Sequence, residues 1–215
     1  MWGGWVDELA RRLEATTGLT LREGLYEILG VDPATGMVYW HGLLAATPMA
    51  RIREAIEAFV AEAGAGPEDA RTAIDGAWQA PDPVGLAQPV TNLTALFDRL
   101  RARVALFAVA TSDDRDPTER TLEALGITAH IAATACADDG FPNKPAPDAV
   151  LRICERLGVA PGRAAVVGDS PADLRMGRSA GAGRVIAVLT GVGDEATLAP
   201  LADLVLASIE GLAPA

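Results

Sequence analysis

From residue 104 onward the chain repeats one pattern, a short apolar run followed by a helical stretch. VALFAVA (104–110) precedes DPTERTLEALG, HIAATA (130–135) precedes PDAVLRICERLG, and AAVVG (164–168) precedes PADLRMGRSAG. RVIAVLT and ADLVLASI close the series. Strands joined by helical crossovers run parallel, and strands that read as nearly continuous apolar runs are buried on both faces. The pattern therefore predicts an α/β fold, a parallel sheet with helices on both faces. In such a sheet ligands sit at the carboxyl ends of the strands, so the residues that follow each apolar run are the ones to inspect.

The first 80 residues follow a different rule. WVDELARRLEATTG places Val6, Leu9, Ala10 and Leu13 on one helical face and ends at Gly18. Thr20 with Glu23 three residues on reads as a capping box for a helix through Leu25, Ile28 and Leu29 to Gly30. Thr47 as cap and Pro48 as first helical residue announce MARIREAIEAFVAEAG, and a last helix follows Pro67. The Pro- and Gly-rich stretch APDPVGLAQP (80–89) separates the two regimes. The expected organisation is a helical domain over 1–85 and an α/β domain over 86–215.

Composition narrows the partners. With 50% hydrophobic and 22% charged residues the chain has the make-up of a folded globular protein, and a net charge of −11 disfavours a broad nucleic-acid surface. No apolar run reaches the ~20 residues of a membrane span, and MWGGWVDELARRLE lacks the basic start and apolar core of a secretory signal, so no membrane partner and a cytoplasmic location are expected. Cys136 and Cys154 show no metal-ligand spacing and read as reduced, buried thiols. His41 and His130 read as structural or surface residues, and Trp2, Trp5, Trp40 and Trp78 as core packing of the helical half. The sequence leaves the oligomeric state open.

Three strand ends carry chemistry. VALFAVA stops at Thr111-Ser112, while the helix behind has its own expected cap in Asp116, Pro117 and Glu119. That leaves the Thr111 hydroxyl and the Ser112 amide available to a phosphate oxygen. Asp113 and Arg115 follow closely enough to point into the same site. At 163–183, RAAVVGDSPADLRMGRSAGAG, Ser170 caps a helix, Pro171 opens it and Asp173 completes the box, but capping does not account for Asp169 beside Gly168. Two carboxylates converging there repel unless a cation neutralises them, and a hard-oxygen pair suits Mg²⁺, which keeps several waters. Between these strand ends lies ADDGFPNKPAPD, whose Lys144 supplies a point charge for phosphate oxygens and neighbouring carboxylates.

Taken together, VALFAVATS with Thr111, NKPAPD with Lys144 and VVGDSPAD with Asp169 and Asp173 resemble the second, third and fourth motifs of the haloacid dehalogenase superfamily of phosphohydrolases, closest to its phosphoglycolate phosphatase-like branch. The resemblance covers roughly residues 86 to 211. It implies a Rossmann-like core with the helical half as a cap, and Mg²⁺-dependent hydrolysis of a small phosphorylated metabolite through an aspartyl phosphate. It also implies roles: Thr111, Ser112 and Lys144 bind the phosphoryl group, Asp169 holds Mg²⁺, and Asp173 supports it.

The family's first motif is a strand ending in Asp-x-Asp-x-Thr, whose first aspartate is the nucleophile. No strand expected here ends that way. Asp113-Asp114 and Asp138-Asp139 belong to other loops, and Asp7 lies in a helix. In the family that strand is central, between those carrying the second and fourth motifs. Its absence predicts two unpaired edges mid-sheet, where unpaired buried backbone groups cost roughly 1–3 kcal/mol each. The expectation is a chain that starts after a lost strand and, as it stands, does not turn over. The competing expectation is a non-catalytic protein that binds phosphate or a phosphorylated metabolite.

Overall fold

The computed structural model describes residues 2–103 and 106–213, which divide into two compact units, Met1–Asp82 and Pro83–Ala215. The first unit is helical: α1 (Trp2–Thr17), α2 (Arg22–Leu29), α3 (Leu43–Ala46), α4 (Met49–Val60) and α5 (Pro67–Ala77), with a wider π turn at Ala61–Ala65 after α4. The expected face of α1 forms, with Val6, Leu9, Ala10 and Leu13 buried against Leu25, Leu29, Ile52, Ile56 and Ile74. Full burial of each such aliphatic side chain contributes about 1.5–3 kcal/mol. Gly18 and Gly30 close α1 and α2 with φ of 71° and 70°, a backbone region that favours glycine.

Two helix starts differ from expectation. The N-cap of α2 is Leu21, and no Thr20–Glu23 box forms; instead Glu14 of α1 accepts hydrogen bonds from the amides of Leu21 (2.7 Å) and Arg22 (3.0 Å). A carboxylate carried on a neighbouring helix thus satisfies the amides that a local cap would have taken. Pro48 is the N-cap of α4 and not its first helical residue, since Thr47 still belongs to the end of α3. Trp2, Trp5 and Trp78 pack edge to face on the helical core. Trp40 does not: it is 39% exposed, in the loop between α2 and α3 beside exposed Met37 and Tyr39.

The second unit alternates as the sequence predicts. It runs α6 (Pro83–Leu86), α7 (Leu93–Leu100), β1 (Phe107–Ala110), α8 (Arg115–Ala124), β2 (Ile131–Ala135), α9 (Asp148–Leu157), β3 (Ala165–Gly168), α10 (Pro171–Ser179), β4 (Arg184–Val188), α11 (Glu195–Leu198) and β5 (Leu204–Leu206). Val104 and Ala105, the first two residues of the expected strand before α8, lie outside the described residues. All strand pairs are parallel, but they form two sheets, β1-β2 and β3-β4-β5. Both are packed by one apolar cluster in which Ala110 of β1, Ala135 of β2 and Val166 of β3 meet Val150 and Cys154 of α9 and Met176 of α10. A second cluster joins Leu174 of α10 to Val185 and Ala187 of β4 and Leu198 of α11.

The break falls between β1 and β3, the strands that carry Thr111 and Asp169 at their ends. Each ends its sheet, and among the described residues neither has a strand partner on the other side. Val167 of β3 is 38% exposed, as the open side of this edge strand allows.

Candidate active site

The site is assembled at the start of α10. Gly168 ends β3, and a side chain there would meet Cβ of Asp173 at 2.2 Å, so the strand can turn this tightly only with glycine. Ser170 then caps α10 by a reciprocal box: its Oγ accepts from the Asp173 amide (3.2 Å), while Oδ2 of Asp173 accepts from the Ser170 amide (3.2 Å) and hydroxyl (2.6 Å). Lys144, at a cis Lys144–Pro145 bond, donates from Nζ to Oδ1 of Asp173 at 2.7 Å. The two side chains are only 13% and 11% exposed. Both oxygens of Asp173 are thereby engaged.

Asp169 is held differently. Its Oδ2 accepts from the Val192 amide (2.9 Å) and its carbonyl from the Gly193 amide (2.9 Å). Among the described residues no hydrogen bond reaches Oδ1. The donor chemistry fits a hard cation through that one oxygen, with water completing the shell as Mg²⁺ requires. Among the described residues no cluster of three or more His, Cys, Asp or Glu side chains offers an all-protein cage. The Thr190–Gly193 turn that grips Asp169 was not among the residues expected at the site. Its signal is the pair of glycines in TGVG, directly after RVIAVLT.

Thr111 extends the β1–β2 ladder by donating its amide to Ala135 (2.9 Å), and its hydroxyl closes a local turn, donating to Oδ2 of Asp113 and accepting from the Asp113 amide, each at 3.1 Å. No hydrogen bond joins Thr111 or Ser112 to Lys144, Asp169 or Asp173 among the described residues. The structure thus brings Lys144 and Asp173 into contact, sets Asp169 one residue before their cap, and places Thr111 and Ser112 at the end of the other sheet.

The loop after Thr111 corrects one expectation and decides a point the sequence leaves open. α8 begins at Arg115 with Asp114 as its N-cap, so Asp116 lies in the first turn and the Asp116–Glu119 box does not form. Arg115 is committed elsewhere: its Nη2 donates to both oxygens of Asp139 (2.6 and 2.7 Å), and its Nη1 donates to Thr134 (2.9 Å) and Glu119 (3.3 Å). This tie secures the loop after β1 to the loop after β2. Burial pushes the Asp139 carboxyl up, but the Arg115 guanidinium and the Cys136 amide outweigh it and hold the group below the usual carboxylate range. Asp114 moves the other way, raised by burial and by the charges of Asp138 and Asp113.

The letters Asp-x-Asp-x-Thr do occur once, at Asp114-Arg115-Asp116-Pro117-Thr118, although no strand was expected to end in them. They form the first turn of α8, with the Thr118 hydroxyl donating to the Asp114 carbonyl at 2.8 Å, and not the end of a strand. Cys136 and Cys154 are free and buried, as expected, and burial pushes both thiols up. His130 stacks on Phe97 at 5.4 Å, and His41 on Tyr39 at 5.6 Å.

Parallel strands, helical crossovers and polar residues gathered after the strands define a Rossmann-like α/β domain. Residues 45–181 match the family model of the haloacid dehalogenase-like hydrolases, and the chain belongs to that family. It is 33% identical over 102 residues to a phosphoglycolate phosphatase of Rhodospirillum rubrum, a match covering 47% of this chain and 42% of the relative. A phosphoglycolate phosphatase of Aquifex aeolicus is 26% identical over 107 residues, half of each chain. The chain thus spans about half, or less, of the length of these curated relatives. In overall fold it resembles a predicted phosphoglycolate phosphatase of Haemophilus somnus, with a TM-score of 0.67 at 14% identity over 96% of this chain and 89% of the other. No helix among the described residues is long and apolar enough to cross a membrane.

Proposed function

We propose that the complete protein is a Mg²⁺-dependent phosphomonoester hydrolase acting on a small phosphorylated metabolite, and that these 215 residues hold its phosphate and cation groups but not its nucleophile. The observation that supports this most strongly is the nearly buried junction of β3 and α10, where two aspartates four residues apart have different partners and Lys144, from the loop after β2, pairs with the second. In the complete protein an aspartate from a further strand attacks phosphorus. An O–P bond to that carboxylate forms as the bond to the leaving alkoxide breaks, and water then hydrolyses the aspartyl phosphate to orthophosphate. Lys144 and the hydroxyl and amide at Thr111 and Ser112 hold the phosphoryl oxygens as charge develops on them. A cation at Asp169 supplies further neutralisation of that charge. The helical unit serves as a cap that selects the leaving group and excludes water.

The same groups also suit a protein that binds phosphate without turnover, and the use of the Asp-x-Asp-x-Thr letters as a helix start favours that reading for the chain by itself. Both readings require an anion site, which is tested by titrating orthophosphate in the presence of Mg²⁺ by calorimetry. The expected result is binding that weakens about tenfold or more in Lys144→Met and in Thr111→Val, the scale of one charge-assisted hydrogen bond. Binding that is unchanged in both variants contradicts the site.

A further inference from the structure

Asp169 is gripped at two points by consecutive amides of one turn. The Val192 N–H donates to its carboxylate oxygen Oδ2 and the Gly193 N–H to its own carbonyl, both at 2.9 Å. The grip depends on close approach. A Cβ on Gly191 would lie 1.8 Å from Oδ2 and 2.3 Å from Cγ of Asp169, and a Cβ on Gly193 would lie 2.7 Å from the Asp169 carbonyl and from the buried Leu198 side chain. Neither glycine has a positive φ, so it is space and not backbone freedom that requires glycine at these positions. On its other side Asp169 is bounded by the capping box of Ser170 and Asp173.

We infer that the Gly191-Val192-Gly193 turn is a positioning device that takes up Oδ2 of Asp169 and presents Oδ1 alone to a divalent cation. The inference rests on the cation-site reading above and adds to it the turn and the choice of oxygen. A carboxylate free to rotate offers either oxygen or both to a cation, whereas one locked by an amide offers one oxygen in a fixed direction. Both oxygens of Asp173 already hold partners, Oδ1 the Lys144 ammonium and Oδ2 the Ser170 amide and hydroxyl, whereas Oδ1 of Asp169 holds none among the described residues. The contribution of Asp173 is to hold Lys144 and the helix start, and Asp169 is the single direct protein donor that these residues supply.

The test uses Mn²⁺ as the probe, titrated into the chain while paramagnetic broadening of backbone amide signals is followed by NMR. In the wild type the broadening is expected to centre on 168–170 and 191–193, and in Asp169→Asn to vanish. Gly191→Ala, shown to be folded by its dispersed spectrum, is expected to bind Mn²⁺ about 10–100-fold more weakly, the usual effect of losing a group that orients a metal ligand. Asp173→Asn is expected to bind far more strongly than Asp169→Asn. Wild-type affinity in Gly191→Ala, or loss of binding in Asp173→Asn equal to that in Asp169→Asn, overturns the inference while leaving the cation site standing. Broadening that ignores Asp169→Asn, or is absent from the wild type, overturns the cation site itself. Should Gly191→Ala not fold, the Val192 amide of the wild type decides: the grip predicts slow hydrogen exchange, and exchange at the rate of an unprotected loop amide refutes it.

Discussion

Individual residues divide the labour at this site by what each oxygen and nitrogen already holds. The Lys144–Asp173 pair is nearly buried, and removal of one partner strands the other charge, which in such settings costs on the order of 3 kcal/mol. Lys144→Met is therefore expected to lose about that much stability in urea unfolding, and Lys144→Arg much less; a Met variant as stable as the wild type would show that the pair is not formed. Asp114 makes a prediction with the opposite sign. Its carboxyl is raised by burial and by Asp138 and Asp113, so the folded protein holds this proton more tightly than the unfolded chain does. The ionised form then destabilises the fold above the ordinary carboxylate range, and the penalty disappears at pH values below it. Asp114→Asn should raise the melting temperature at pH 7 and have little effect near pH 3.5. A gain of the same size at both pH values contradicts this account of Asp114.

At the scale of elements, periodicity was a reliable guide, and local caps were so only where every partner lies in the same helix. The buried face of α1 and the capping box of α10 are readable directly, because both depend on residues within one helix. The starts of α2 and α8 are not, because their partners come from elsewhere: Glu14 on α1 serves α2, and the tie from Arg115 to Asp139 anchors α8 at Arg115, one residue before Asp116. Lys144, Asp169 and Asp173 were legible from their places after strands, whereas the turn gripping Asp169 was not, since its role lies in a contact 23 residues away in sequence. Helical glycines offer a test of how far context overrides propensity. Gly76 in α5 faces open space, so Gly76→Ala should stabilise by up to about 1 kcal/mol. Gly177 in α10 lies against Val166, where a Cβ would approach to 2.9 Å, and Gly177→Ala should be neutral or destabilising. Equal gains at both positions would show that α10 does not pack on β3 this closely.

For the whole molecule the decisive feature is the division of one expected sheet into two. The alternation of strand and helix made the parallel order legible, and the lack of a strand ending in Asp-x-Asp-x-Thr located the break between β1 and β3. The sequence did not indicate whether the two strands would close on each other. They do not: β1 and β3 share an apolar cluster with α9 and α10, but among the described residues each lies at the end of its own sheet. A further strand between them would satisfy those edges, cover Val167 and bring a carboxylate to the same end as Thr111 and Asp169. The measurement that tests this most directly compares the chain with a version extended upstream in frame, following Mg²⁺-dependent hydrolysis of an aryl phosphate and thermal unfolding in parallel. Turnover is expected only in the extended protein, abolished by Asp169→Asn, together with a higher melting temperature. Turnover by the 215-residue chain alone, sensitive to Asp169→Asn, would contradict this expectation.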